Sequence, residues 1–158
     1  MRKMQVKKED IKENILASAR REFLEHGYAE ASLRVIAEKA GLTKGAVYSY
    51  FTNKDALFSE LASPAVNLIE SEFKQDEYCF AFSAEDVDSY EAPIQSFKRC
   101  ARSVLEHYES FKLLLFCSAG SSLQNYKERI IRLYAQNFYK LLAFFTGTAS
   151  CGESVINE

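Results

Sequence analysis

Hydrophobic residues recur at helical spacing along most of the chain. In residues 9–26 the apolar positions step by four from Ile11 to Phe23, and charged residues fill the other faces. A single apolar stripe of this kind predicts an amphipathic α-helix. Gly27 follows the stripe, and glycine is typical of the first position beyond a helix end. We therefore predict a helix over about 9–26 that stops at Gly27.

Two short helices are predicted next, over about 32–40 and 44–51. Ser32 and Thr43 are favourable N-cap residues for them, and Gly41 marks the turn between them. Two short helices joined by a tight turn are typical of a helix-turn-helix motif. In that motif the second helix enters the major groove of DNA and the first helix crosses the backbone.

A fourth helix is predicted to follow. Thr52 paired with Asp55 fits a capping box, and Asn53 is an equally good cap. Pro64 removes one helix hydrogen bond and clashes with the preceding turn. We therefore predict a kink or break near residues 60–64.

The remainder of the chain is also predicted to be helical. Apolar stripes run over about 94–108 and 123–146, and residues 111–117 are apolar nearly all round, as in a buried helix. Residues 75–92 are acidic and are predicted to be a connection. Residues 146–158 show no period and are predicted to be a loop or frayed tail.

Composition agrees with an all-α fold and excludes several classes. Of 158 residues, 47% are hydrophobic and 27% are charged, with only six Gly and two Pro. These values argue against disorder and against a turn-rich β-sandwich or barrel. The basic N-terminus lacks a following apolar segment, and the longest apolar run, Leu113–Cys117, is far too short for a membrane span. We predict a reduced, cytoplasmic chain outside membranes.

Catalytic and metal-binding chemistry are not indicated. The four cysteines include no C-x-x-C pair, so neither a disulfide nor a metal site is expected. His26 and His107 are the only histidines, and neither has a cysteine or carboxylate at ligand or triad spacing. No nucleophile elbow or P-loop is present. We predict a protein that is not an enzyme and needs no cofactor.

Charge is distributed unevenly along the chain. Residues 1–61 hold eleven Lys and Arg against nine Asp and Glu, whereas residues 62–158 hold nine against thirteen. Much of the N-terminal excess lies in Arg2–Lys8, a tail that we predict to be disordered in isolation and that could contact a DNA backbone. Any nucleic-acid contact therefore requires a local basic face.

A longer string makes the helix-turn-helix assignment specific. Residues 15–58 read ILASARREFLEHGYAEASLRVIAEKAGLTKGAVYSYFTNKDALF. This string resembles the DNA-binding domain of the TetR (tetracycline-repressor-like) transcriptional regulators, over about residues 9–61, a third of the chain. The positions that carry the resemblance are Ile15, Leu16, Ala19, Phe23, Gly27, Tyr28, Ser32, Ile36, Ala37, Ala40, Gly41, Thr43, Lys44, Gly45, Tyr48, Phe51, Lys54, Leu57 and Phe58.

The resemblance and the local chemistry together suggest which residues contact DNA. Thr43, Lys44 and Gly45 lie at a helix N-terminus, where free N–H groups favour a phosphate. Tyr48 is expected on the outward face, where its hydroxyl suits a phosphate and its ring a thymine methyl. The candidate DNA-binding residues are Ser32, Arg34, Thr43, Lys44, Gly45, Tyr48, Ser49, Tyr50 and Lys54.

Structural roles remain open for several of these residues. Ser32 and Thr43 could act only as caps, Arg34 as a solvated surface charge, and Tyr50 as part of the core. The third helix carries no Arg or Asn fork that reads G or A, so we expect Thr43, Tyr48 and DNA shape to contribute to base preference, together with Lys44.

The resemblance also implies a role for residues 62–158 as a helical ligand-binding and dimerisation domain, joined to the DNA-binding domain through the fourth helix. Its pocket would take a small hydrophobic effector, and Pro64 would mark a hinge. Plain packing is an equally good explanation for each aromatic residue there. The candidate lining residues are Phe97, Cys100, Tyr108, Phe111, Tyr134 and Phe138.

The function implied is that of a ligand-responsive repressor that binds a palindromic operator as a homodimer. The C-terminal part is expected to be short, because the family usually adds two helices that form the dimer interface and no periodic segment follows Phe145. The chain could be truncated, could dimerise through the 94–146 helices, or could fail to dimerise. The alternative function is a non-DNA-binding interaction module that pairs with a full-length regulator.

Overall fold

A computed structural model describes residues 2–74 and 91–145 of the chain. All regular secondary structure within these residues is α-helical, which confirms the predicted all-α fold. Residues 75–90 of the predicted connection and the predicted tail from residue 146 lie outside the described residues. The last two residues of the predicted connection, 91 and 92, belong to a helix. The helices are α1 (Arg2–Glu30), α2 (Leu33–Lys39), α3 (Lys44–Tyr48), α4 (Lys54–Lys74), α5 (Glu91–Glu106), α6 (Tyr108–Phe116) and α7 (Tyr126–Phe145).

Helix α1 is longer than predicted at its N-terminal end. It begins at Arg2, so the prediction of a disordered basic tail is wrong. The tail contains no Gly or Pro, and its Lys, Gln and Met residues favour a helix once a turn exists to extend. Gly27 interrupts α1 with φ 71° and ψ 170°, a left-handed φ that glycine adopts without a Cβ penalty. The predicted stop at Gly27 is therefore confirmed as a sharp kink.

The turn between α2 and α3 is a Schellman motif centred on Gly41. Its N–H donates to the Glu38 carbonyl at 3.0 Å, and the Leu42 N–H donates to the Ala37 carbonyl at 2.9 Å. Gly41 has a φ of 68°, as this motif requires. Helix α3 ends at Tyr48, earlier than predicted.

We expect Gly41→Ala to lower the free energy of unfolding by about 1 kcal/mol, because a Cβ is strained at this left-handed φ. Gly45→Ala is the matched control, since Gly45 lies within α3 and the nearest atom to an added Cβ is 3.9 Å away. The control should keep or slightly raise stability. Urea denaturation of both variants measures the difference, and equal losses would contradict this account of Gly41.

Asn53 is the N-cap of α4. Its Oδ1 accepts the Ala56 N–H at 2.7 Å, which decides between the two predicted caps. The carboxylate of Asp55 does not close a capping box; it accepts the N–H of Ser122 at 2.8 Å instead. A group 67 residues away in the sequence therefore replaces the local partner.

The sequence predicts a kink or break near residues 60–64. Helix α4 continues through Pro64, so the break is wrong. Proline leaves the carbonyl of the residue four positions earlier, Glu60, without its N–H donor. The hydroxyl of Ser63 donates to that carbonyl at 2.8 Å. The neighbouring side chain thus replaces the missing backbone hydrogen bond, and the helix runs on to Lys74.

The core of the N-terminal helices is apolar and centred on three aromatic rings. Phe23 and Phe58 meet edge to face with centroids 5.1 Å apart, and the Tyr28 ring lies 5.2 Å from that of Phe58. The other buried side chains follow the predicted stripes: Ile15, Ala19, Ile36, Ala37, Val47, Phe51, Leu57 and Leu61.

Helix α6 packs against α1 and α4 within one compact unit, residues 1–124. Leu113 and Leu114 are fully buried, but Phe116 is 74% exposed, so the prediction that this helix is buried all round is wrong on one face. Cys117 is a buried free thiol whose pKa is raised by burial and lowered in part by the Lys112 charge. The predicted boundary at residues 61 and 62 falls inside α4.

Helix α7 belongs to a second unit, residues 125–158. Within it the Arg129 guanidinium lies 5.5 Å from the centroid of the Tyr126 ring. None of the helices in the described ranges is long and apolar enough to cross a membrane.

Candidate nucleic-acid interface

The N-terminal end of α3 is exposed and is capped by a side chain. Thr43 caps the helix, since its Oγ1 accepts the Ala46 N–H at 3.2 Å. Lys44 and Gly45 follow at the first helical positions and are exposed. The predicted cap is confirmed, and it leaves the free N–H groups of the first turn directed outward.

Tyr48 and Lys44 share one outward face of α3. Tyr48 is 45% exposed, whereas Val47 beside it is buried in the core. The Lys44 Nζ lies 5.9 Å from the centroid of the Tyr48 ring, close enough for a cation–π contact. A cation and a phenol are thus presented together, which suits a phosphate and an adjacent base edge.

Ser32 stands at the N-cap position of α2 but does not use its side chain as a cap. Its N–H donates instead to the Glu22 carboxylate, and its carbonyl accepts the Ile36 N–H. Arg34 is exposed in the first turn of the same helix. Both side chains therefore lie at the start of α2, where the backbone contact was predicted.

The remaining α3 candidates differ from one another. Ser49 is exposed, and its hydroxyl donates to the Gly45 carbonyl at 3.4 Å. Tyr50 is half-buried, so both of the roles that the sequence left open, a DNA contact and a part of the core, stay open. Both residues stay predicted DNA contacts.

Lys54 is directed into the fold. Its Nζ donates to the carbonyls of Tyr28 at 2.7 Å, Ala29 at 3.2 Å and Ala31 at 3.2 Å. It also lies 4.5 Å from the centroid of the Tyr28 ring. A lysine has three N–H donors, and all three are used. These bonds give Lys54 a structural role as a cap on the end of α1, and its predicted phosphate contact stays a prediction.

Glu22 and Lys39 form an ion pair that the sequence reasoning missed. Glu22 is 3% exposed, and its Oε2 accepts from the Lys39 Nζ at 2.9 Å. Burial raises the pKa of Glu22, but the hydrogen bonds from Lys39 and Ser32 and the Lys39 charge outweigh it and lower the pKa. One signal was available, because Glu22 follows Ala19 by three positions on the apolar face of α1.

Two of the predicted effector-binding residues meet in one pocket. Tyr108 and Phe111 line an open, mostly apolar pocket of about 270 Å³ between α5 and α6. Tyr134 lies on α7 and is 45% exposed. The side chains of Phe97, Cys100 and Phe138 lie outside the described residues. The other lining residues are Val104, Lys112, Leu115 and Phe116.

Metal chemistry is not indicated by the arrangement of ligating side chains. Within residues 2–74 and 91–145, no three His, Cys, Asp or Glu residues come together in a way that could hold a metal ion.

The fold of α2 and α3 and this exposed surface define a helix-turn-helix motif. Residues 15–61 match the family model described as "Bacterial regulatory proteins, tetR family". The match therefore falls on the segment in which the sequence resembles a TetR-type DNA-binding domain.

Named relatives agree over the same segment. The chain is 46% identical over 48 residues to the HTH-type transcriptional repressor Rv1474c of Mycobacterium tuberculosis, covering 30% of this chain and 26% of that repressor. It is 40% identical over 60 residues to the HTH-type transcriptional regulator AcrR of Shigella flexneri, covering 38% and 28%. The match therefore spans little more than a quarter of either regulator.

Among solved structures, the repressor NalD of Pseudomonas aeruginosa is similar to this chain with a TM-score of 0.47 and 25% identity. That alignment covers 85% of this chain and 65% of the NalD chain.

Proposed function

We propose that the protein is a DNA-binding transcriptional regulator, acting as a ligand-responsive repressor that binds a palindromic operator as a homodimer. The observation that carries the proposal is the exposed start of α3, where Lys44, Gly45 and Tyr48 stand on a capped, well-packed helix. The basis for DNA affinity is phosphate contact at this helix N-terminus. No catalytic step is part of the proposal, and the DNA partner places the protein in the cytoplasm.

The homodimer follows from the geometry of operators. Two copies related by a two-fold axis present two α3 helices to major grooves about 34 Å apart, one helical turn of DNA. A palindromic operator mirrors that symmetry. We place the dimer contact within residues 94–146, where α5, α6 and α7 expose large apolar side chains. Those that are at least half exposed include Leu105, Tyr108, Phe116, Ile131 and Tyr139.

The response to a ligand is supported by the contacts between α6 and the DNA-binding helices. The Cys117 carbonyl accepts the Tyr28 N–H at 2.8 Å, and Asp55 accepts the Ser122 N–H. These bonds join Cys117, at the end of α6, to the end of α1, and Ser122, in the segment after α6, to the start of α4. A small hydrophobic effector in the α5–α6 pocket would shift α6 and bias the orientation of the DNA-binding domain.

We expect Lys44→Ala and Tyr48→Ala to weaken binding to DNA from the gene's own upstream region by about tenfold each, the size of one lost charged or base contact. Fluorescence polarisation at several stated salt concentrations measures the affinity. Lys44→Ala should also reduce the salt slope by about one, because one phosphate contact is lost.

Arg21→Ala is the matched control, since Arg21 is an exposed residue of α1 outside the candidate DNA contacts and the proposed dimer contact, and it carries the same charge. This variant should bind as the unaltered protein does. Sedimentation equilibrium on the same samples reports the dimer. A folded, dimeric protein that binds no upstream DNA would contradict the proposal and would favour the interaction module.

A further inference from the structure

Glu22 is a nearly buried charge that the DNA-facing surface does not use directly. It lies on the inward side of α1 and is 3% exposed. Taking a carboxylate out of water is costly unless partners compensate for it. Both of its oxygens have partners: Oε2 accepts from the Lys39 Nζ at 2.9 Å, and Oε1 accepts from the Ser32 N–H at 3.3 Å.

These two partners mark the two ends of α2. Ser32 immediately precedes the first residue of α2, and Lys39 is its last residue. A single carboxylate on α1 therefore holds both ends of the neighbouring helix. The negative charge also lies at the N-terminus of α2, where the helix dipole favours it.

Apolar packing alone would not define the orientation of α2. Ile36 and Ala37 are buried beneath it, and that burial is favourable but non-directional. A helix of seven residues could roll on such a surface with little change in buried area. Hydrogen bonds require particular distances and angles, so the two bonds to Glu22 select one roll and tilt of α2.

The orientation of α2 is transmitted to α3. The Schellman turn at Gly41 joins the two helices through two backbone hydrogen bonds. The positions of Lys44 and Tyr48 on α3 therefore depend on the placement of α2. The Ser32 hydroxyl makes no capping hydrogen bond, so the Glu22 contact holds this end of α2. We propose that Glu22 is a positioning residue for DNA recognition, a role that rests on the proposed function and requires no contact between Glu22 and DNA.

The test compares two duplexes of equal length and composition: the upstream DNA and a scrambled version. Glu22→Gln keeps the shape of the side chain and removes its charge. Upstream affinity should fall about tenfold, the size of one lost base contact. Scrambled affinity should stay constant or rise, because one negative charge has been removed. If only the negative charge of Glu22 mattered, the affinities for both duplexes would rise together in Glu22→Gln, and that result would overturn the proposal.

Glu38→Gln is the matched control, because Glu38 is an exposed residue of α2 and loses the same charge. It should leave the ratio of the two affinities unchanged. Lys39→Met removes the other half of the pair from a partly exposed position and should lower the ratio as Glu22→Gln does. If Glu22→Gln does not fold, Lys39→Met tests the proposal in its place. An unchanged ratio of upstream to scrambled affinity in Lys39→Met would overturn the proposal.

A measurement without DNA separates this proposal from the proposed function. Residual dipolar couplings of amide groups in α1 and α2 give the angle between the two helices. The angle should change in Lys39→Met and stay constant in Glu38→Gln. If the unaltered protein binds both duplexes equally, the proposed function fails. A changed angle between α1 and α2 in Lys39→Met would still support the positioning role of Glu22. An unchanged angle overturns the positioning role.

Discussion

Phe58→Ala is expected to lower the free energy of unfolding by about 3–5 kcal/mol, enough to unfold a marginally stable domain. Phe58 is fully buried at the start of α4 and touches the rings of both Phe23 and Tyr28. Its removal leaves a cavity, and each edge-to-face pair contributes about 0.5–1.5 kcal/mol beyond the area it buries. Since these rings join α1 to α4, the whole DNA-binding domain should lose stability together.

Chemical denaturation measures this loss, and Phe116→Ala is the matched control. Phe116 is the same residue type at 74% exposure, so its truncation should cost less than about 1 kcal/mol. Upstream DNA affinity of Phe58→Ala, measured below its unfolding temperature, should fall with the folded fraction. A loss equal to that of Phe116→Ala would contradict the assignment of Phe58 to the core.

Lys54→Met is expected to lower the free energy of unfolding by about 2–3 kcal/mol. The methionine keeps most of the stem but donates no hydrogen bond, so the carbonyls of Tyr28, Ala29 and Ala31 lose their shared donor. The cation–π contact with the Tyr28 ring is lost as well. The end of α1 should become the first part of the domain to open.

Lys44→Met separates this role from a phosphate contact. Lys44 is exposed at the start of α3, so its loss should reduce DNA affinity and the salt slope with little change in stability. Lys54→Met should show the opposite pattern: lower stability in urea denaturation, but an unchanged salt slope in polarisation assays on the folded protein. A reduced salt slope without a stability loss would restore the phosphate contact for Lys54.

Local features of the DNA-binding domain were predictable because their causes lie within one or two helical turns. The four-residue steps from Ile15 to Phe23 predicted the buried face of α1. Gly41 predicted the turn, and Thr43 predicted the cap of α3. Each depends on residues close in sequence, so helical spacing and capping chemistry are sufficient to locate it.

Features that depend on distant partners were not predictable in this way. Asp55 had a plausible local role in a capping box, but in the fold its carboxylate accepts the N–H of Ser122 instead. At Asp55 several partners were chemically possible, and packing selected one.

Pro64 shows that a local partner can also be overlooked. Proline predicted a kink or break, yet the hydroxyl of the adjacent Ser63 satisfies the Glu60 carbonyl that proline leaves without a donor.

The sequence by itself determined the helical class, the helix-turn-helix motif and the outward face of α3 that carries Tyr48, because periodicity and caps are local properties. Only the tertiary structure decided that Lys54 caps α1 instead of facing solvent, and that Glu22 holds both ends of α2. These roles depend on which backbone groups and charges meet after the helices pack. A long lysine can reach solvent or a carbonyl equally well, and the spacing of residues along the chain does not distinguish the two.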